Sequence, residues 1–561
     1  MNAPQAPSFG IKDAAWRIAL FGGMMTLGWP PLLPVVLLFF GFIPMLGGVD
    51  RILEAWKGRR AGRKAFLFVY LCFVGWNAAA TWWVSLATLP GGIFAVLVNS
   101  LAMCLPLLLF ISVRRHVGRT ASYVALVSAQ LTFEYLHMRW EFTWPWLNLG
   151  NGLAMHPWLI QWYEYTGTSG GTVWLLGINI LWYESRLKTS GIARAVQAGQ
   201  ASVEQFRSAA IKASLPAWAW MVLPAALSIY MYNGYGEDRG EAVNVALLQT
   251  DFDPHTEKFD LPWSTVLDSM VSQSGRALEN AEEPVDILVW PETAVTYSIN
   301  LNNLDRDHAM RALQGLQSAS PQTSLLVGMT TFQRFESPEG LDGDVIERFY
   351  SSGKKVYELR YNTAMYMDST GQSETYFKGI LVPGPERYPY REQLKFLDKV
   401  VPGMKNYMGR LSVSRERSAL GEGNREMGPA ICYESIFGEF MTGFVEDGAK
   451  LLFVITNDGW WGNSNGRKQH LAYARLRAIE TRRNVARSAN TGISCFIDQR
   501  GEVVSAVPVN TSGVLMGTMY ANDELTTFVR LGDVLGRTSL WITMLALLLF
   551  IARRQMSKSV I

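Results

Sequence analysis

GPAICYESIFGEFMTGFVEDGAKLLFVITND, residues 428–458, reads as a strand, a helix and a second strand: an apolar run at 428–433, an amphipathic stretch at 434–447 and LLFVIT at 451–456. This is the repeating unit of a sheet covered by helices. Working outward, further strands are expected at 242–250, 285–290, 324–330, 356–368 paired with 373–378, and 491–506, with helices at 256–281, 303–318 and 467–487. Polar residues stand where the strands end: Glu292 after VDILVWP, Cys432 after GPAI, Asn457-Asp458 after LLFVIT. Carboxyl ends of strands are where α/β sheets usually build their sites.

On both sides of this domain the composition changes. Charged residues are 18% and hydrophobic residues 49% of the 561, with 20 Trp, a mix that excludes disorder, collagen and a polar soluble enzyme. Apolar runs of near-spanning length fall at 14–29, 30–48, 65–86, 91–113, 120–137, 171–185 and 214–232, with an eighth at 536–552. PLLPVVLLFFGFIPML (31–46) has no polar face, which argues against core helices of a soluble protein. The first run lacks an A-x-A cleavage site and is read as a retained helix.

Basic residues set the expected orientation. They gather at Arg51–Lys64, Arg114–Arg119 and Arg186–Lys212, and again at Arg553, Arg554 and Lys558, which puts these loops and both termini in the cytoplasm. The expected organisation is a bundle of about seven helices over 1–232, an extracytoplasmic α/β domain over 233–533, and a last span with its tail over 534–561. A net charge of +3 gives no reason to expect nucleic acid as a partner. Four widely spaced cysteines without a C-x-x-C pair exclude a disulfide framework and a structural zinc site. The aromatic stretch 139–170 fits an interfacial belt or a lipid-entry surface. Residues 388–411, mixing aromatic and basic residues, fit a mobile interfacial arm or a plain surface helix.

Taken singly, the candidate residues keep several readings open. Cys432 fits a small buried hydrophobe, one half of a disulfide with Cys495, or a nucleophile near a helix N-terminus whose dipole favours thiolate. Glu292 fits a helix cap, or a base whose apolar flank raises its pKa. Lys378 fits an edge-strand lysine or a cation for a tetrahedral oxyanion. The six histidines are scattered, and H-E-x-x-H, G-x-S-x-G and a Gly-rich phosphate loop are missing, so metallopeptidase, serine hydrolase and nucleotide chemistry lack their equipment. On this reading the histidines do not compete for the catalytic role, and no metal or cofactor is expected.

Together, four motifs occur in order: VWPET (289–293), TYFKGILVPGPE (375–386), PAICYESIFGEF (429–440) and the segment 455–494 that begins ITNDGWWG. The set resembles the nitrilase superfamily with its Glu-Lys-Cys triad. With spans before and after it, nearly the full chain resembles the apolipoprotein N-acyltransferases, membrane-anchored members of that superfamily. The resemblance implies an α-β-β-α sandwich, Glu292 as general base and later acid, Lys378 stabilising the transition state, and Cys432 forming an acyl-enzyme. It also implies a supporting role for Glu386, Tyr433, Glu434 and Trp460. The implied reaction is ping-pong transfer, without a cofactor, from a phospholipid to the α-amino group of a diacylglyceryl cysteine on a lipoprotein precursor. The implied location is the bacterial inner membrane with the catalytic domain in the periplasm. A tethered amidase and a non-catalytic lipoprotein-binding homologue remain as rivals. This chain departs from the family at Ile380, at Gly384-Pro385 and, near the first strand, at Phe259.

Overall fold

Strand β1 (Glu241–Gln249) sends alternate side chains to opposite faces, as the pleat requires. Val243, Val245 and Leu247 join one buried cluster and Ala246 and Leu248 another, so both faces of the strand are covered. The remaining strands are β2 (Ile287–Asn300), β3 (Ser324–Phe335), β4 (Ile346–Phe349), β5 (Lys355–Met367), β6 (Ser373–Phe377), β7 (Met427–Ile431), β8 (Leu451–Thr456), β9 (Val485–Ala489), β10 (Cys495–Ile497), β11 (Val503–Ala506) and β12 (Gly513–Ala521). They form two sheets. One runs β12-β1-β2-β3-β5-β4 with β6 paired to β5, and the other runs β11-β10-β9-β8-β7. The pairs β1–β2, β2–β3, β7–β8 and β8–β9 are parallel.

Ile287, Val289, Leu326 and Ala364 of the first sheet share a cluster with Ile431, Phe453, Ile455 and Ala486 of the second. Each Val, Leu, Ile or Phe among these contributes roughly 1.5–3 kcal/mol when fully buried. The outer face of the first sheet is covered by helices Trp263–Glu279 and His308–Ala319, through Val266, Met270 and Leu313. Helices Gly438–Glu446 and Asn465–Thr481 cover the second sheet, through Phe444 and Ala478 among others. The layers are helix, sheet, sheet, helix, as expected.

The computed structural model describes residues 9–559 apart from 33, 237, 351–352, 395 and 397–408. Most of the proposed arm at 388–411 therefore lies outside the described residues. The α/β unit comprises Tyr235–Gly532 together with Glu141–Thr143. The other unit is helical and takes the chain up to Trp140, Trp144–Gly234 and everything from Asp533.

Among the described residues five helical segments are long and apolar enough to cross a membrane: Val35–Ala55, Gly58–Thr81, Leu89–His116, Val203–Tyr235 and Val534–Met556. Eight were expected. The other three expected segments are helices, but less suited to lipid. Ile11–Leu27 has 17 residues and carries Asp13 and Arg17, Arg119–His137 carries Gln130 and Glu134, and Tyr163–Gln197 breaks helical geometry at Gly167. Their polar groups meet partners inside the unit: Gln130 donates to Glu134, and the Thr172 hydroxyl donates to Glu134 at 2.7 Å.

Three strands were hidden in the sequence: β4, β9 and β12. Helix Asn465–Thr481 stops at Arg482, whose φ is +51°, and β9 occupies part of the stretch that helical spacing assigns to 467–487. Strand β12 pairs antiparallel with β1 and completes the edge of the first sheet. The expected strand 491–506 is instead the short pair β10 and β11.

Candidate active site

Glu292 lies within β2, beside the close approach of Gly328 on β3, where a Cβ would sit 2.6 Å from the Glu292 Cα. Its carboxylate is held from three sides. Asn362 Nδ2 on β5 donates to Oε1 at 2.7 Å, Lys378 Nζ lies 3.3 Å from the same oxygen, and the Asn457 backbone N–H at the end of β8 donates to Oε2 at 3.1 Å. Lys378 follows β6, is fully buried, and also donates to Glu386 Oε1 at 2.8 Å. Burial alone would lower its pKa, but the Glu386 and Glu292 carboxylates outweigh that and hold it above the ordinary lysine value. Glu386 is fixed in turn by the Val382 N–H at 2.7 Å and by Asn362 Nδ2 at 3.1 Å. Gly384, with φ +96°, gives this loop a left-handed turn that suits glycine.

Cys432 begins a five-residue 3₁₀ turn, Cys432–Ile436, and the α-helix starts only at Gly438. The expected helix N-terminus is therefore not at the sulfur, and the thiol is not activated by it. Burial pushes the Cys432 thiol well up; the Glu292 charge adds to this, and the Lys378 ammonium opposes it. A thiol in that setting would need a base to act as a nucleophile. All four cysteines are free and buried, which removes the disulfide with Cys495. Cys432 is 8% exposed and has φ +50°, a strained conformation for a residue with a side chain. Its carbonyl oxygen accepts from the Ser435 hydroxyl at 2.8 Å and lies 3.0 Å from His470 Nε2.

His470, one of the histidines given no catalytic role by the sequence, lies beside the Cys432 turn. It lies on helix Asn465–Thr481, with Nδ1 2.9 Å from Asp458 Oδ1. Asp458 also pairs with the buried Arg487 of β9, and that guanidinium with His470 brings the carboxyl down to about 2 against the opposing effect of burial. Ligand atoms of Cys432, Asp458 and His470 lie within 4.8 Å of one another, the spacing of a metal site. The donor set does not suit a cation. Arg487 already brings a positive charge to Asp458, and its Nη2 is 3.0 Å from His470 Nδ1.

Glu434 ties the Cys432 turn to the lysine loop. Its buried carboxyl accepts from the Ile431 N–H at 2.7 Å, the Tyr376 hydroxyl and the Gly379 N–H at 2.6 Å, and the Ile380 N–H at 3.2 Å. Burial still pushes it up to about 7. Ile380 thus meets this network through its main chain. The Tyr433 hydroxyl donates to the Thr143 carbonyl at 2.8 Å. Trp460 is 39% exposed and stacks on Phe259, ring centroids 6.1 Å apart.

Lys258, next to Phe259, was missed. It is 1% exposed, and its Nζ donates to the Glu292 carbonyl and the Thr293 hydroxyl, each at 3.0 Å. Asn362 was missed as well, although one signal was available: it is an amide on the same face of β5 as the core residues Ala364 and Tyr366.

The carbon-nitrogen hydrolase family profile matches residues 244–523, and that of the apolipoprotein N-acyltransferase N-terminal domain matches residues 21–181. An apolipoprotein N-acyltransferase of Chlorobaculum tepidum is 30% identical over 544 residues, covering 94% of each chain. One from Geobacter metallireducens is 27% identical over 92% of this chain and 91% of that one. Among solved structures, a mutant of Nesterenkonia AN1 amidase from the nitrilase superfamily matches 54% of this chain and 99% of that one at 18% identity, with a TM-score of 0.36. Because the Chlorobaculum match runs through the helical unit and the sandwich alike, the chain belongs to the apolipoprotein N-acyltransferase family.

Proposed function

We propose that the protein transfers an acyl chain from a phospholipid, through a thioester on Cys432, to the α-amino group of the S-diacylglyceryl cysteine of a lipoprotein precursor. The observation that carries the mechanism is the buried Lys378 ammonium, shared between Glu386 and Glu292 within the charge field of Cys432. Glu292 takes the thiol proton as Sγ attacks the ester carbonyl. Lys378 faces the oxyanion that forms. Collapse breaks the ester C–O bond, and the departing glycerol oxygen receives the proton from Glu292, giving a lysophospholipid. The amine then attacks the thioester, Glu292 accepts its proton, and the sulfur leaves and is reprotonated. No cofactor enters these steps.

The spacing of Cys432, Asp458 and His470 favours a second reading, in which His470 is the base. Against it, His470 Nε2 lies on the Cys432 carbonyl and the Ser435 hydroxyl, so the ring supports the strained turn. Intact-mass measurement of the purified protein given phospholipid decides: on the first reading Glu292→Gln forms no thioester within wild-type turnover time while His470→Gln still acylates, and the reverse pattern makes His470 the base. Adding a diacylglyceryl peptide then separates transfer to an amine from amidase-like transfer to water, and no thioester on the wild-type protein would leave a lipoprotein-binding scaffold. The basic loops support cytoplasmic termini and a periplasmic catalytic domain in the inner membrane. Reporter fusions at Gly199 and Glu422 should read inside and outside respectively, and the same reading at both would refute this topology.

A further inference from the structure

The inner face of the first sheet changes character along its length. On β5, side chains two apart share a face: Tyr366 and Ala364 lie in the core, Asn362 holds Glu292 and Glu386, and Arg360 and Glu358 come next. On β3 the same face carries Leu326, then Gly328 against Glu292, then Thr330, Phe332 and Arg334, with Phe332 paired to Arg360. Core gives way to catalytic residues, and these to a basic cavity of about 280 Å³ lined by Phe332, Arg334, Arg348, Tyr350, Glu358 and Arg360 among others.

The charges in this cavity do not balance. Glu358 is 2% exposed and is the carboxylate for all three arginines: Arg360 Nε at 2.7 Å, Arg334 Nε at 3.3 Å and Arg348 Nε at 3.7 Å. Three guanidinium groups against one carboxylate leave a surplus of two positive charges. The closest approaches run through Nε, so among the described residues the forked Nη ends of Arg348 and Arg360 remain. Among the described residues, the Nη bond in this group is from Arg334 Nη1 to the Tyr350 hydroxyl at 2.9 Å. Guanidinium forks of this kind match the paired oxygens of phosphate. Phe332 and Tyr350, each with Arg334 over its ring, provide an apolar wall. The volume exceeds that of a bare phosphate, leaving room for a small polar substituent.

We propose that this cavity is a binding site for a phosphate group, one strand repeat beyond Asn362 and the catalytic carboxylates. That the phosphate belongs to the lipid donor rests on the function proposed above; that an anion binds here does not.

The test uses the full-length protein in neutral detergent, with inorganic phosphate and dihexanoyl phosphatidylglycerol titrated separately by calorimetry. Arg348→Gln, the most exposed of the three, and the double variant Arg348→Gln/Arg360→Gln are compared with wild type, and folding is checked by thermal unfolding. Each lost charge-assisted contact is expected to weaken binding roughly tenfold. Weakening for both ligands supports the site, and weakening for the lipid alone identifies a headgroup site. Weakening for inorganic phosphate alone supports an anion site and removes the link to the donor. Unchanged affinity for both ligands in a folded Arg348→Gln protein, or no binding of either ligand to wild type, overturns the proposal. If wild type forms no thioester while arginine-dependent phosphate binding persists, the acyl-transfer reading fails and the site stands.

Discussion

Replacing Lys258 by Met removes the donor that holds the Glu292 carbonyl and the Thr293 hydroxyl. Thr293 has φ +47°, so the main chain just past the proposed base is strained and depends on this contact. Burial lowers the Lys258 pKa to about 7, with the Glu292 charge opposing. A neutral amine keeps two N–H groups, the number of bonds observed, so both survive deprotonation. Between about 7 and the ordinary 10.5 the unfolded chain binds more protons than the folded one, and stability therefore rises with pH through that window. Below it the ammonium is charged in both states and its burial cost is carried in full. Leaving a buried carbonyl without a donor costs about 1–3 kcal/mol. If that cost falls on the approach of Glu292 to Cys432, thioester formation slows by a factor of roughly 5 to 150. The assay is single-turnover acylation by intact mass at saturating phospholipid from pH 6 to 9, with thermal unfolding at each pH. The variant should be slower throughout and should lose the rise in stability above pH 7. Wild-type rates together with the wild-type slope of stability against pH would refute the reasoning.

Cys432→Ala should abolish the acyl-enzyme and Cys495→Ala should preserve it, by mass measurement; turnover retained in the first and lost in the second would move the nucleophile to Cys495. Lys378→Ala should slow acylation by roughly 10² to 10³ through loss of the oxyanion partner, with Glu386→Gln milder; equal rates for Lys378→Ala and wild type would assign the lysine to packing. Gly328→Ala places a Cβ 2.4 Å from the Pro291 carbonyl oxygen, a backbone clash expected to cost about 1–3 kcal/mol and to lower acylation. Gly315→Ala, on an open helix surface, should raise stability by about 0.5–1 kcal/mol, and a chemical-denaturation comparison showing equal stability for both variants would contradict the packing at Gly328.

The sandwich was legible where strands are uniformly apolar: LLFVIT is β8 residue for residue. Strand β9 was not, because RRNVARSAN has neither alternation nor an apolar run. Arg487 is fully buried only because Asp458, far away in sequence, neutralises it. Spans were overcounted where amphipathic helices hide polar groups inside the bundle, as Arg119–His137 hides Glu134. Among the candidate site residues, Glu292, Lys378, Glu386, Cys432 and Glu434 stand out in motifs that combine strand ends with reactive residues. Lys258, Asn362 and His470 were not, since what makes each notable is its burial beside another segment, which local pattern does not report. The same limit explains the thiol: the sequence places Cys432 before a helix, but the 3₁₀ turn between them is set by the bonds of Glu434 and His470.

The pairing of β1 with β12 has a consequence for how the chain is made. Glu241 pairs with Ala521 and Gln249 with Gly513, so the first strand of the sandwich is flanked on one side by the last. Contacts between residues so distant in sequence close late and slow folding. During synthesis, the edge of the first sheet stays open until nearly the whole domain has emerged, and an unpaired strand edge invites pairing with other chains. A chain truncated before residue 513 would therefore leave β1 exposed, so ribosome stalling in the last stretch of the domain would yield an aggregation-prone product rather than a partly active one.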